Sequence, residues 1–352
     1  MSWFTTRSIR KAAEQGNVNA QLDLGMMYMN GNGVPRNETE AANWFRKAAE
    51  QGHAEAQRNL GVMYVAGTGV PEDAIEALKW IHKAAEQGLA EAQLNLGMIF
   101  AQGAGVAKDE TEAAKWFLAA AEQGLAQAQY NLGQILSQGT GVPKDHTEAS
   151  RWYRMAAEQG IVEAQFNLGW NYANGRGVPR DETEAVKWYR KAAAQGDVQA
   201  SSNLAVMYAR GEGLPKDDTE ALRRYRRGAE QGDATAQFNL GMMYAQGNGV
   251  SKDDREAMRL FRTAAEQGLA EAQFNLGVGY AKGVGVPKDE VEGLAWLNIS
   301  AASGNQTTVE GRDVLERHLG REVTLIAQQR SKEILRQIGT SKTDGNGFTK
   351  MV

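Results

Sequence analysis

Residues 236–250 read Ala-Gln-Phe-Asn-Leu-Gly-Met-Met-Tyr-Ala-Gln-Gly-Asn-Gly-Val. Ala236, Leu240, Met243 and Tyr244 fall at i, i+4, i+7 and i+8, an apolar stripe of helical period. The spacing predicts a helix from roughly Ala234 to Gln246. Gly247-Asn248-Gly249 ends it, because glycine alone takes positive φ at low cost.

The same string recurs along the chain at a spacing of 36 residues. Its Ala-Gln pair returns at Gln21, Gln57, Gln93, Gln129, Gln165, Gln237 and Gln273, with Ser201 in the missing slot. Its glycine returns at Gly25, Gly61, Gly97, Gly133, Gly169, Gly241 and Gly277, with Ala205 in the odd place. Tyr28, Tyr64, Tyr172, Tyr208, Tyr244 and Tyr280 stand three residues after that slot. All six prolines occupy one position of the period, with Ala107 and Ser251 as substitutes. Eight full repeats result, from 17–52 to 269–304, preceded by half a repeat in residues 1–16.

Each repeat reads as two helices. In residues 181–196, Asp181 stands at an N-cap position and Ala185, Trp188, Tyr189, Ala192 and Ala193 form one apolar face before Gln195-Gly196 stops the helix. The glycines of the first helix and the alanines of the second let the two approach closely, while residues such as Trp188 and Tyr172 fill the space left over. Such an array escapes the size limit of a single core, since each repeat contacts only its neighbours.

The stretches 236–250 and 181–196 resemble the Sel1-like repeat pattern, and the resemblance spans 17–304. It implies an all-α fold: a right-handed α/α superhelical solenoid of 36-residue helix-turn-helix repeats, related to tetratricopeptide proteins. It also implies that first helices line a concave groove and second helices lie outside. Members of such families act as adaptors for complexes, signalling or host interaction.

Repeat 197–232 departs from the pattern, with Ser201, Ala205 and, in place of tryptophan, Arg224 inside the run Arg223-Arg224-Tyr225-Arg226-Arg227. Looser packing is expected there. Repeat 233–268 carries Leu260 in the tryptophan slot. Residues 305–338 read as capping helices, Thr307 to Leu319 and Arg321 to Ile338, with Val314, Leu315, Leu319, Val323, Ile326, Ile334, Leu335 and Ile338 as apolar positions. Residues 339–352 are expected to be a disordered tail. At the other end, either Trp3 and Phe4 improvise a cap or sequence upstream is missing.

The net charge of −4 argues against a nucleic-acid partner, which requires a basic footprint. No stretch approaches the ~20 apolar residues that span a bilayer, so membrane insertion is not expected. The absence of cysteine excludes disulfides and thiolate chemistry, and fits a reducing compartment. The cytoplasm is the expected location, or the periplasm or exterior if a signal segment has been removed.

No enzyme chemistry is expected, and no metal or cofactor. The four histidines, His53, His82, His146 and His318, share no slot of the period. Glu40, Glu76, Glu112, Glu148, Glu184, Glu220 and Glu256 share one, at the start of a helix, where a carboxylate complements the dipole. Ser8-Ile9-Arg10-Lys11 matches S-x-x-K, of interest because β-lactamase activity has been attributed to some members of the family, but no S-D-N or K-T-G accompanies it.

A protein or peptide partner is expected instead. Asn59, Asn95, Asn131, Asn167, Asn203, Asn239 and Asn275 recur before the leucine of the first helix, with Asp23 in the first repeat. Such a ladder of amides can pair with the backbone of an extended peptide, or bond to the neighbouring repeat and set the curvature. Variable positions on the same face hold Tyr130, Phe166, Trp170, Phe238 and Phe274. Trp170 is not demanded by the repeat, and either anchors a partner or packs locally. The leading expectation is a groove lined by these asparagines and aromatics. The alternative is a regulatory or self-assembling scaffold acting through Arg223, Arg224, Arg226 and Arg227 on the convex side.

Overall fold

The computed structural model describes residues 3–304 and 306–345, which form eighteen α-helices and no strand. The chain divides into two compact units, Met1–Asp181 and Glu182–Val352. The first contains α1 (Trp3–Glu14), α2 (Val18–Asn30), α3 (Glu38–Glu50), α4 (Ala54–Ala66), α5 (Ala74–Glu86), α6 (Ala90–Gln102), α7 (Glu110–Glu122), α8 (Ala126–Gln138), α9 (His146–Glu158) and α10 (Val162–Asn174). The second contains α11 (Glu182–Ala194), α12 (Val198–Arg210), α13 (Asp218–Glu230), α14 (Ala234–Gln246), α15 (Asp254–Glu266), α16 (Ala270–Lys282), α17 (Glu290–Ala301) and α18 (Gln306–Gly345). Within each unit every helix packs on its neighbours in sequence, the arrangement of an α/α solenoid.

Local chemistry sets the helix limits. Asp73, Asp109, Asp145 and Asp253 sit in extended backbone and accept from two amides of the first turn that would otherwise lack partners. First helices end on a left-handed glycine, as at Gly103 with φ 74. The glycine two positions on is needed for a further reason: a Cβ on Gly69 would lie 2.2 Å from the carbonyl oxygen of Glu38. The loop is therefore seated on the first turn of the preceding second helix.

The glycine inside the first helix is explained by packing. A Cβ on Gly97 would lie 2.6 Å from the ring of Phe117, and one on Gly133 2.7 Å from Tyr153. The large side chain seated on the glycine is thus the residue after the tryptophan slot. A mid-helix glycine costs ~1 kcal/mol against alanine, and the ring contact offsets it.

A buried polar joint closes each of seven repeats. Gln129, 1% exposed, donates through Nε2 to the Ala121 carbonyl at 3.2 Å, and its Oε1 accepts from Gln159 Nε2 at 2.9 Å. Ala121 belongs to the last turn of α7, whose carbonyls have no partner within the helix. One side chain therefore ties α7, α8 and α9. Gln21, Gln57, Gln93, Gln165, Gln237 and Gln273 donate to the equivalent carbonyl.

The last helix, α18, breaks at Gly320, where φ is 79. It packs on α17 through Ala327, Ser331, Ile334 and Ile338, a stripe of period i, i+4, i+7 and i+11. Ile326 and Leu335 fall off that stripe and, with Val314, are exposed, contrary to their expected inward role. The helix runs on past Ile338 to Gly345, and residues 346–352 of the expected tail lie outside the described residues. The side chains of Trp3 and Phe4 also lie outside them.

Candidate functional site

The recurring asparagines are half-buried on the first helices, each before a buried leucine. In the first compact unit, Asn59 Nδ2 meets Met26 Sδ of the preceding first helix at 3.7 Å. Asn95 lies on α6 in the same slot. Asn131 Oδ1 accepts from Gln127 at 3.1 Å. Asn167 bonds to the Tyr130 hydroxyl, to which Gln134 also donates at 2.7 Å; burial raises the pKa of that hydroxyl. In the second unit, Asn275 Nδ2 meets Met242 Sδ at 3.5 Å, and Asn203 bonds to Tyr189, whose pKa burial pushes up to about 12. Asn239 is half-buried on α14. Apart from the Gln127–Asn131 bond, which lies within α8, these contacts run between helices and use part of an amide that offers two donors and an acceptor oxygen.

The aromatic positions differ in how open they are. Tyr130 packs on Tyr153 with ring centroids 6.0 Å apart, and Phe238 on Phe261 at 5.7 Å. Phe166 is half-buried on α10. Phe274 lies under α18, where a Cβ on Gly311 would come within 2.8 Å of its ring. Trp170 is half-buried, with the Arg176 guanidinium 5.2 Å from its ring centroid.

A polar cluster missed in the sequence lies beside Trp170. Arg176 Nε donates to His146 Nε2 at 3.0 Å, and Ser150 Oγ donates to the Arg176 carbonyl at 3.1 Å. Asn171, 5% exposed, donates to Ser150 Oγ at 2.8 Å. Burial, then the charges of Arg176 and Lys144, lower the His146 pKa against the opposing pull of Asp145. The available signal was compositional: Asn171 and Ser150 occupy slots that hold Met207 and Ala114 elsewhere.

The arginine run is largely engaged by the scaffold. Arg223 makes a bidentate pair with Glu220 at 2.8 Å, and Arg224 donates to the same carboxylate at 2.8 Å. Hydrogen bonding from Arg223 heads the causes that hold the Glu220 pKa below its usual value. Arg224 takes over a tryptophan's role, since Trp80 and Trp296 donate through Nε1 to Glu76 and Glu292 of the same slot. Its side chain is only 18% exposed. Arg226 donates to the Tyr244 hydroxyl at 3.3 Å. Among the described residues, Arg227 alone of the four arginines carries no ion pair or side-chain hydrogen bond; it is exposed.

The family profile described as Sel1 repeat matches eight consecutive segments, 18–53, 54–89, 90–125, 126–161, 162–197, 198–233, 234–269 and 270–305. The chain belongs to the Sel1 repeat family. It is similar over 90% of its length, at 34% identity and a TM-score of 0.64, to 91% of a Sel1 repeat protein from Oxalobacter formigenes. It is also similar, at 32% identity and a TM-score of 0.51, to c5321, a protective antigen of uropathogenic Escherichia coli displaying an SLR fold; the match covers 98% of this chain and 89% of that one. No curated protein matches the chain. Sel1 repeat folds commonly mediate protein–protein interaction and are generally non-catalytic scaffolds. Among the described residues no helix is long and apolar enough to cross a membrane.

Proposed function

We propose that this Sel1 repeat protein is a non-enzymatic adaptor that holds a peptide or protein segment against the face of its first helices. The observation that carries the reading is Trp170, a large ring that the repeat does not require, half-buried on α10 beside Asn167 and covered on one side by Arg176. A ring held by a cation is pre-organised to take a partner's apolar side chain at little entropic cost. Asn95, Asn131 and Asn167 supply spare amide capacity in the first unit, and Asn203, Asn239 and Asn275 in the second. The helices of 305–338 act as a cap, with Ile334 buried beside Trp296 and Arg330 paired to Glu292 at 2.7 Å.

The test replaces Asn167 and Trp170 together by alanine and measures capture of cellular partners alongside helicity. Loss of capture in a folded variant is expected. Full capture in a folded variant overturns the placement. The second reading, docking through the arginine run, draws on the exposure of Arg223 and Arg227. It requires that reversing both charges abolish association, although Glu220 already neutralises Arg223.

A further inference from the structure

The entry to the second helix follows one pattern in most repeats: a basic residue, the cap, an acidic residue, then threonine, with single departures at His146, Arg255 and Val291. The basic and acidic positions pair as Arg36–Glu38, Lys108–Glu110, Lys216–Asp218, Lys252–Asp254 and Lys288–Glu290. Repeat 53–88 breaks the rule at three places. Glu72 stands in the basic slot, Ala74 in the acidic slot and Ile75 in the threonine slot. Glu72 makes no ion pair or side-chain hydrogen bond among the described residues, and Ile75 is 74% exposed.

Two of these departures, Glu72 and Ala74, line a groove of about 370 Å³ between α4, α5 and α6. Val62, Val65, Ala74 and Met98 line it with apolar surface, and Glu72, Asn95 and Gln102 supply its polar groups. Val65, 50% exposed, occupies a slot that holds alanine in most other repeats. The volume lies at the lower end of the range for ligand clefts, enough for a large side chain. Three neighbouring carboxylates already have cationic partners: Glu38 with Arg36, Glu76 with Lys79 and Glu110 with Lys108. Glu72 is the charge left to be met from outside.

We propose that this groove receives an extended segment of a partner protein in which a large apolar residue is followed by lysine or arginine. The apolar side chain enters between Val65 and Met98, the cation meets the Glu72 carboxylate, and Asn95 and Gln102 take backbone groups. The inference rests on the reading of the chain as a peptide-holding scaffold, but places this recognition in repeats 53–88 and 89–124, apart from the Trp170 repeat 161–196.

The test uses the full chain and an array of acetylated hexapeptides with a central Leu, Phe or Ser, followed by Lys, Glu or Gln. The protein is expected to retain Leu-Lys and Phe-Lys members about fivefold better than their Glu counterparts, the scale of one exposed ion pair. Glu72→Lys should reverse that order, and Val65→Ser should lower all apolar binding about tenfold. The triple variant Glu72→Lys, Ala74→Glu, Ile75→Thr restores the sequence rule of the other repeats, so it should fold with an unchanged or higher melting temperature while losing retention. Equal retention of Lys and Glu peptides, or retention undiminished in the folded triple variant, overturns the proposal. So does a sedimentation profile in which Val65→Ser dissociates an oligomer, since a second copy would then be the occupant. Asn167→Ala with Trp170→Ala should leave the array pattern intact, which separates failure of this site from failure of the Trp170 site.

Discussion

The guanidinium of Arg46 donates to the Tyr64 hydroxyl at 2.7 Å, joining the second helix of one repeat to the first helix of the next. The pair returns as Arg10–Tyr28, Arg154–Tyr172, Arg190–Tyr208, Arg226–Tyr244 and Arg262–Tyr280. Where the arginine is absent, the hydroxyl is absent too: His82 faces the slot of Phe100, and Leu118 that of Leu136. Tyr64→Phe should cost about 0.5–1.5 kcal/mol, the net worth of one hydrogen bond. Arg46→Leu with Tyr64→Leu should cost less than the two single changes summed. Urea denaturation of the four proteins reads the coupling, and an additive result would show that the bond is incidental.

Gly97 meets the Phe117 ring so closely that any side chain must displace it. Gly97→Leu should destabilise by about 1–3 kcal/mol through overpacking. The melting temperature should recover in part when Phe117→Ala is added. A single variant that melts with the unaltered protein contradicts the packing described.

Gln129→Leu keeps the volume but removes one bond each from the Ala121 carbonyl and the Gln159 amide, which keep their bonds to Gly124. The expected cost is about 1–2 kcal/mol, the net worth of the two hydrogen bonds lost. Ser201→Gln is the converse, and should raise stability by about 1 kcal/mol by completing the joint between α11, α12 and α13. Thermal melts of both variants check the pair of expectations, which have opposite signs.

Arg176 donates to His146 Nε2, which can accept only when the ring is neutral. The folded pKa of His146 is lowered, so the folded state resists protonation more than the unfolded chain does. Its contribution to stability is present above the unfolded value, about 6.5, and is lost as pH falls through the depressed folded value. Titration of the His146 ring by NMR should give a midpoint below 6.5. Arg176→Leu should move the midpoint upward, and an unchanged midpoint would remove Arg176 as a cause.

The period and the helix limits were legible because the residues that mark them act locally. Gly103 ends α6 by its own φ, and Asp109 starts α7 through its own side chain. The slot of Gln129 was equally visible, but its meaning depends on a carbonyl at the end of another helix, which no local pattern displays. Arg224 reads in sequence as one charge in a run, whereas its surroundings are those of a tryptophan. Ile326 and Leu335 fit a helical period, yet the stripe that meets α17 is fixed by Ala327 and Ile334, a choice of face that periodicity leaves open. Around Trp170, the cation and the buried Asn171–Ser150 pair come from three elements that converge only in the folded chain.

The glutamine joints also govern how the array responds to load. A helix that must slide against its neighbour has to open a buried amide bridge first, so the joined repeats are stiff against bending and slow to admit a protease. Ser201 is too short to build that bridge, so α11 and α12 are joined by the Arg190–Tyr208 and Asn203–Tyr189 bonds without the buried amide of the other repeats. The junction of α11 and α12 therefore lacks one lock that its neighbours have, and it is where hydrogen exchange and proteolysis of the second unit are expected to begin.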